Sequence, residues 1–145
     1  MQVSQEVDEK NEPTVRDDRT VKILLADDQV FNLILLEGLI TSIFPNAIIE
    51  TSMNGKLAVE KVEECETAGS PIEIIFMDIG MPEMDGLEAS SLIQKKYQEG
   101  QLSSKPYIAA ITAYTSEEMK RKATSNGMEK FLTKPAMIQN VTRLI

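Results

Sequence analysis

Five short apolar runs recur along this chain: VKILLA at 21–26, AIIET at 47–51, IEIIFM at 72–77, PYIAAI at 106–111 and KFLT at 130–133. Each is followed by a segment of helical spacing, and no hairpin turn joins one run to the next. Strands that never fold back on a neighbour must be connected by crossovers. That order specifies an α/β chain with a doubly wound, five-stranded parallel sheet and helices on both faces. The first helix, over 31–44, carries Leu33, Leu36, Ile40 and Ile43 on one stripe and is closed by Pro45. A second starts at Asn54, runs to about Glu66 and stops at Gly69-Ser70-Pro71. A third covers 86–97, with Leu87, Ser91 and Gln94 at helical spacing. Thr115-Ser116-Glu117-Glu118 has the spacing of a capping box for a fourth, which ends near Asn126-Gly127. A short fifth is expected over 136–145.

Residues 1–20 are polar, charged and without periodicity, and read as a flexible tail ahead of one domain over 21–145. A hydrophobic fraction of 42% is enough for a real core. The net charge of −8 disfavours nucleic acid and anionic membrane as partners, since both reward positive surface. No apolar run is long enough to span a bilayer. Cys65 stands alone, which excludes an internal disulfide and suggests a reducing, cytoplasmic setting; its helical position reads as a small buried residue. The chain has no histidine, so His-based acid–base chemistry, His metal ligation and a phosphohistidine of its own are excluded.

Several strands end on chemistry-bearing residues. Asp27 and Asp28 follow the first run, Asp78 the third, Thr112 the fourth and Lys134 the fifth. Separately, each has an ordinary reading: Asp27-Asp28 or Asp78 as helix caps, Thr112 as a strand end, Lys134 as a solvated lysine. In an open parallel sheet, however, all of them share the carboxyl edge, where such folds bind ligands. Three crowded carboxylates repel one another and stay ionised together only beside a cation. Oxygen-only donors favour a hard ion such as Mg²⁺. A lysine and a threonine nearby suit phosphoryl oxygens, so the cluster reads as a phosphoryl-transfer centre. No nucleotide-binding loop is present. The phosphoryl group must then come from another donor, with Asp78 the best acceptor.

The segments ADD, MDIGMPEMDG, ITA and FLTKP at these spacings resemble the receiver domain of two-component response regulators. The Asp-Asp-x-x-x-Asn pattern of Asp27 to Asn32 is similar to receivers attached to hybrid histidine kinases. The resemblance implies the flavodoxin-like strand order 2-1-3-4-5. It also implies that Asp78 is the phosphoacceptor, and that Asp27, Asp28, Asp78 and the Gly80 carbonyl hold Mg²⁺. Thr112 and Lys134 would contact the phosphoryl oxygens, and Thr112 with Phe131 would form the switch. Pro82 and Gly86 would shape the turn, Asp85 would cap the following helix, and the Lys134–Pro135 peptide would be cis. The implied function is a signalling switch that takes a phosphoryl group from a histidine kinase or histidine phosphotransfer protein. It would catalyse its own phosphorylation and dephosphorylation without turning over a separate substrate. Two alternatives are a non-phosphorylated interaction module and a Mg²⁺-dependent phosphatase, though the latter needs a cap for which the chain has no spare residues.

Overall fold

The computed structural model describes residues 16–113 and 116–134. Thr115, Pro135 with its peptide bond to Lys134, and the expected helix over 136–145 lie outside the described residues. Five strands form one sheet: β1 (Lys22–Ala26), β2 (Ile48–Ser52), β3 (Ile74–Asp78), β4 (Tyr107–Thr112) and β5 (Lys130–Thr133). They pair in parallel in the order β2-β1-β3-β4-β5, as the resemblance implies. Among the described residues four helices accompany them: α1 (Val30–Ile43), α2 (Gly55–Thr67), α3 (Gly86–Gln98) and α4 (Glu117–Ser125).

Successive strand residues point to opposite faces, so each run of apolar residues feeds two cores. Ile23, Leu25, Phe76, Ala109 and Ile111 pack on the side of α1 with Leu33, Ile40 and Ile43. Leu24, Ala26, Ile75, Met77 and Ala110 pack on the other side, against Val59, Val62 and Cys65 of α2, Ile93 of α3 and Ala123 of α4. Cys65 is buried there, as its spacing predicts.

Three of the four described helices start on a side-chain cap. Asn54 accepts from the Leu57 N–H at 2.8 Å and Asp85 from the Glu88 N–H at 2.9 Å. The cap of α4 is Ser116, whose hydroxyl accepts from the Met119 N–H at 3.1 Å, so the helix starts one residue later than the expected capping box. Met119 stands where a capping-box acid would, and the reciprocal bond is therefore lost. The buried stripe of α3 also differs from the expected one: Gly86, Ala89, Ser90 and Ile93 face the core. Small residues win because the first turn of this helix lies against the end of β3. A Cβ on Gly86 would overlap the Asp78 carbonyl oxygen, and its N–H bonds the Ile79 carbonyl at 2.8 Å. Part of the expected tail is tied down as well. The Asp17 N–H bonds the Ile43 carbonyl at 2.7 Å, and the Asn46 amide bonds the Asp18 carbonyl at 2.8 Å. Among the described residues no helix is long and apolar enough to cross a membrane.

Candidate functional site

The carboxyl edge of the sheet gathers residues from four strand ends. β3 ends on Asp78 and β4 on Thr112, while Asp27 and Lys134 are the first residues past β1 and β5. Backbone bonds extend the ladders by one step and fix both of the latter. The Asp27 N–H donates to the Ser52 carbonyl at 3.1 Å, and the Lys134 N–H to the Thr112 carbonyl at 2.8 Å. Asp27, Asp28 and Asp78 each bring a carboxylate oxygen to a common locus, all within 4.8 Å of one another. The cap reading of Asp27-Asp28 does not hold: the N-cap of α1 is Gln29, without a side-chain cap bond.

Lys134 is the cation of this cluster. Its Nζ lies 3.0 Å from Asp27 Oδ2 and 3.2 Å from Asp78 Oδ2. Asp27 is more fully engaged, because its Oδ1 also accepts from the Gln29 N–H at 2.9 Å and the Asn32 amide at 3.4 Å. Asp28 is half-buried, with no hydrogen bond or ion pair to its carboxylate among the described residues. Asp78 is only 6% exposed. Burial, and then the charge of Asp27, push its carboxyl above the ordinary carboxylate range, while Lys134 and the Gly80 N–H oppose the shift. Burial works to lower Lys134, but its bond to Asp27 and the charges of Asp78 and Asp27 outweigh it and leave the ammonium raised.

The loop after Asp78 is shaped by close approach. A Cβ on Gly55 would overlap the Met84 carbonyl oxygen, and the Gly55 N–H bonds that oxygen at 2.8 Å. The first residue of α2 therefore anchors the loop that follows β3. Within the loop Glu83 sits at φ 66°, in the left-handed region, as the Met84 N–H closes back on the Pro82 carbonyl at 2.7 Å. Gly80 differs: a Cβ there would meet nothing within 4 Å.

Thr112 and Phe131 share a face of the sheet. Phe131 pairs with Ala110, which lies two residues before Thr112 on β4, so the two positions are diagonal neighbours across that face, both beside Ala110. Thr112 is 2% exposed, whereas Phe131 is half-buried with the Lys120 ammonium 5.9 Å from its ring centroid.

The structure thus brings Asp27, Asp28, Asp78, Thr112 and Lys134 to one edge, with Gly80 in the adjoining loop and Phe131 on β5 beside the strand of Thr112. Two further contributors have no assigned role in the sequence reading. Asn32 steadies Asp27, and Gly55 holds the loop after Asp78; a glycine directly after the Asn54 cap was the available signal. Chemically, the arrangement is an oxygen-rich pocket with the Lys134 ammonium beside the nearly buried Asp78 carboxylate. It suits a divalent cation and a small anionic group rather than an extended substrate.

Comparison with known proteins agrees with this geometry. A family model described as the response regulator receiver domain matches residues 23–145. The osmosensing histidine protein kinase SLN1 of Saccharomyces cerevisiae is 32% identical over 136 residues, covering 87% of this chain and 10% of that protein. Sensor protein GacS of Pseudomonas syringae is 30% identical over 127 residues, covering 88% of this chain and 13% of that protein. The chain therefore spans only a small part of the curated relatives it matches. Among solved structures, the Saccharomyces cerevisiae Ssk1 receiver domain, crystallised with the histidine phosphotransfer protein Ypd1, aligns with a TM-score of 0.75 at 26% identity. That alignment covers 90% of this chain and 89% of the other. The Arabidopsis thaliana CKI1 receiver domain, complexed with Mg²⁺ and BeF₃⁻, aligns with a TM-score of 0.73 at 27% identity, covering 86% and 89%.

Proposed function

The chain belongs to the response regulator receiver family, and on that footing we propose that it is a phosphoacceptor switch charged at Asp78 by a partner phosphohistidine. The observation that carries the reading is Lys134 bridging Asp78 and Asp27, with Asp28 close by. One oxygen of Asp78 attacks phosphorus, and the electron pair of the breaking P–N bond returns to the partner's imidazole, which takes up a proton. The product is an acyl phosphate, and attack of water on it returns the free carboxylate. Lys134 then moves its charge from Asp78 to a phosphoryl oxygen, and the Thr112 hydroxyl donates to another.

The donor set fits Mg²⁺: carboxylate oxygens from Asp27, Asp28 and Asp78 converge, the Gly80 carbonyl would add a fourth, and no softer ligand intrudes. When bound, the ion supplies neutralisation of the carboxylates and of the incoming phosphoryl oxygens. Asn32 and the Gln29 N–H keep Asp27 oriented without the ion.

Output follows from the shared face of Thr112 and Phe131. Drawing the Thr112 hydroxyl towards the phosphoryl group opens the space beside Ala110, and the Phe131 ring turns inward to fill it, biasing the surface near α4 and β5. The donor class, a histidine kinase or histidine phosphotransfer protein, is supported by the hybrid-kinase relatives and by the Ssk1–Ypd1 complex. A cytoplasmic setting suits both that chemistry and the lone buried Cys65.

The test is intact mass after incubation with acetyl phosphate and Mg²⁺. One phosphoryl group should be gained, and Asp78→Asn should gain none while keeping its fold. Equal labelling of the variant would move the acceptor elsewhere. No labelling of either protein would favour the non-phosphorylated interaction module.

A further inference from the structure

The ring of Phe131 on β5 has a cation over it. The Lys120 ammonium lies 5.9 Å from the ring centroid, within the range at which a lysine is drawn to an aromatic face. Among the described residues this is the one cation so placed. Phe131 and Met119 pack at the margin of the core that holds Ala110, Ala123 and Met128. The ring is therefore between two environments. Towards the site stand Ala110, its register partner on β4, and then the buried Thr112. On the other side stands Lys120, whose side chain is 46% exposed.

Apolar burial alone does not favour this half-buried position. Phenylalanine has no hydroxyl to bond water, and every part of the ring removed from water is favourable. Something on the outer side must hold it. The helix does not account for a lysine at that place. Lys120 is the fourth residue of α4, near the end whose dipole favours the acids Glu117 and Glu118, whereas Lys122 sits in the last turn, where a cation is welcome. The Lys120 ammonium is also 3.5 Å from Glu117, but a pair between two such exposed side chains contributes little. The ring is the contact that remains, with the methylene stem of the lysine free to cover it while the ammonium stays in water.

We propose that Lys120 is a positioning residue for the switch: it holds the Phe131 ring half-buried and so opposes the inward turn that loading of Asp78 brings. The inference rests on reading Phe131 as the moving ring. It adds the group that sets how far the equilibrium is tipped at rest. A ring that turns towards Ala110 leaves the ammonium behind, so the contact belongs to the resting state alone. A contact made in only one of two states shifts their ratio by its whole strength. For a cation over an aromatic ring at an exposed site that is about two- to five-fold. By linkage, any ligand that favours the inward ring binds more weakly by up to the same factor.

Beryllofluoride with Mg²⁺, titrated into the whole chain and followed by amide shifts, tests this. Lys120→Met keeps the apolar stem and removes the charge. It should bind beryllofluoride about two- to five-fold more tightly. Before any is added, it should also move the β5 amides part of the way along the line to their bound positions. The sign is diagnostic, because loss of a positive charge by itself weakens binding of an anion. Lys120→Arg, which keeps a cation over the ring, should behave as the unmutated chain does. In a Phe131→Leu background, which keeps an apolar side chain without an aromatic face, Lys120→Met should bring no tightening. Unchanged or weaker binding by Lys120→Met would overturn the proposal, as would equal tightening in the Phe131→Leu background. If the unmutated chain shows shifts near α4 and β5 that Phe131→Leu removes while Lys120→Met leaves the affinity unaltered, the proposal fails and the switch reading stands. Shifts confined to the site in the unmutated chain remove the switch reading and this proposal together, and absence of beryllofluoride binding removes the acceptor reading as well.

Discussion

Lys134 and Asp78 meet at 3.2 Å although 56 residues separate them in sequence, and the strand between them, β4, supplies neither group. The same ammonium holds Asp27 at 3.0 Å, so a single side chain ties the ends of β1, β3 and β5. Without a metal ion it compensates two nearly buried carboxylates. Lys134→Met should therefore lower stability by about 2 kcal/mol in EDTA, the scale for stranding buried charged groups at a partly solvated rim. Mg²⁺ should restore more stability to the variant than it adds to the unmutated chain. Identical melts of the two proteins in EDTA would show that water screens the carboxylates adequately.

Asp28 offers the opposite case, since its carboxylate adds repulsion and has no partner among the described residues. Neutralising it by Asp28→Asn should raise the melting temperature of the metal-free protein by several degrees, the response expected for about 1 kcal/mol in a domain of this size. The same change should weaken Mg²⁺ binding in a calorimetric titration. A clear fall in melting temperature would instead assign Asp28 a structural bond.

The raised carboxyl of Asp78 sets a pH dependence with a definite sign. A group whose folded value lies above its unfolded one contributes stability that is complete below the unfolded value. That contribution is lost as pH rises through the folded value. In metal-free buffer Asp78→Asn should therefore be more stable than the unmutated chain at neutral pH. The difference should shrink as pH falls from neutral through the raised value towards the ordinary carboxylate range. Chemical denaturation at a series of pH values reads this directly, and a gap that widens towards acid would contradict the assignment.

Phe131 should relay the signal across Ala110. With Mg²⁺ and beryllofluoride, amide shifts should move around Asp78 and also near α4 and β5. Phe131→Ala should remove most of the distant shifts and spare the near ones. Shifts confined to the site in the unmutated chain would mean that the ring is a fixed core residue beneath Lys120.

The sheet was legible because its strands are buried on both faces, so VKILLA and PYIAAI could be read as apolar runs without ambiguity of period. Asp27, Asp78, Thr112 and Lys134 were legible for a related reason: a polar group at the end of a buried strand has one place to go, the sheet edge. Helix α3 was harder. Its inward stripe is chosen by how closely Gly86 must approach the Asp78 carbonyl, and Ala89 and Ser90 carry little hydrophobic signal for a reader following Leu87. The exposed apolar face of α1, with Val30, Phe31, Ile34 and Leu35, was hidden by the same logic. Leu33, Leu36, Ile40 and Ile43 satisfy a helical stripe, and the remaining apolar residues say nothing about exposure until the sheet is in place. Gly55 acts through a contact with the Met84 carbonyl, distant in sequence, which spacing does not encode, whereas the spacing of Asn32 was visible and only its bond to Asp27 was not.

The left-handed backbone at Glu83 restricts which sequences can occupy the turn after β3. Side chains with a Cβ enter that region at a cost of about 1–2 kcal/mol, glycine at almost none, and asparagine or aspartate at an intermediate level. β-branched residues are the least tolerated. Glu83 is exposed, so no packing obliges the glutamate. In a saturation library selected only for folding, position 83 should therefore drift towards glycine and exclude valine and isoleucine. The neighbouring Asp85, by contrast, should exchange only with serine, threonine or asparagine, the other residues that can cap α3.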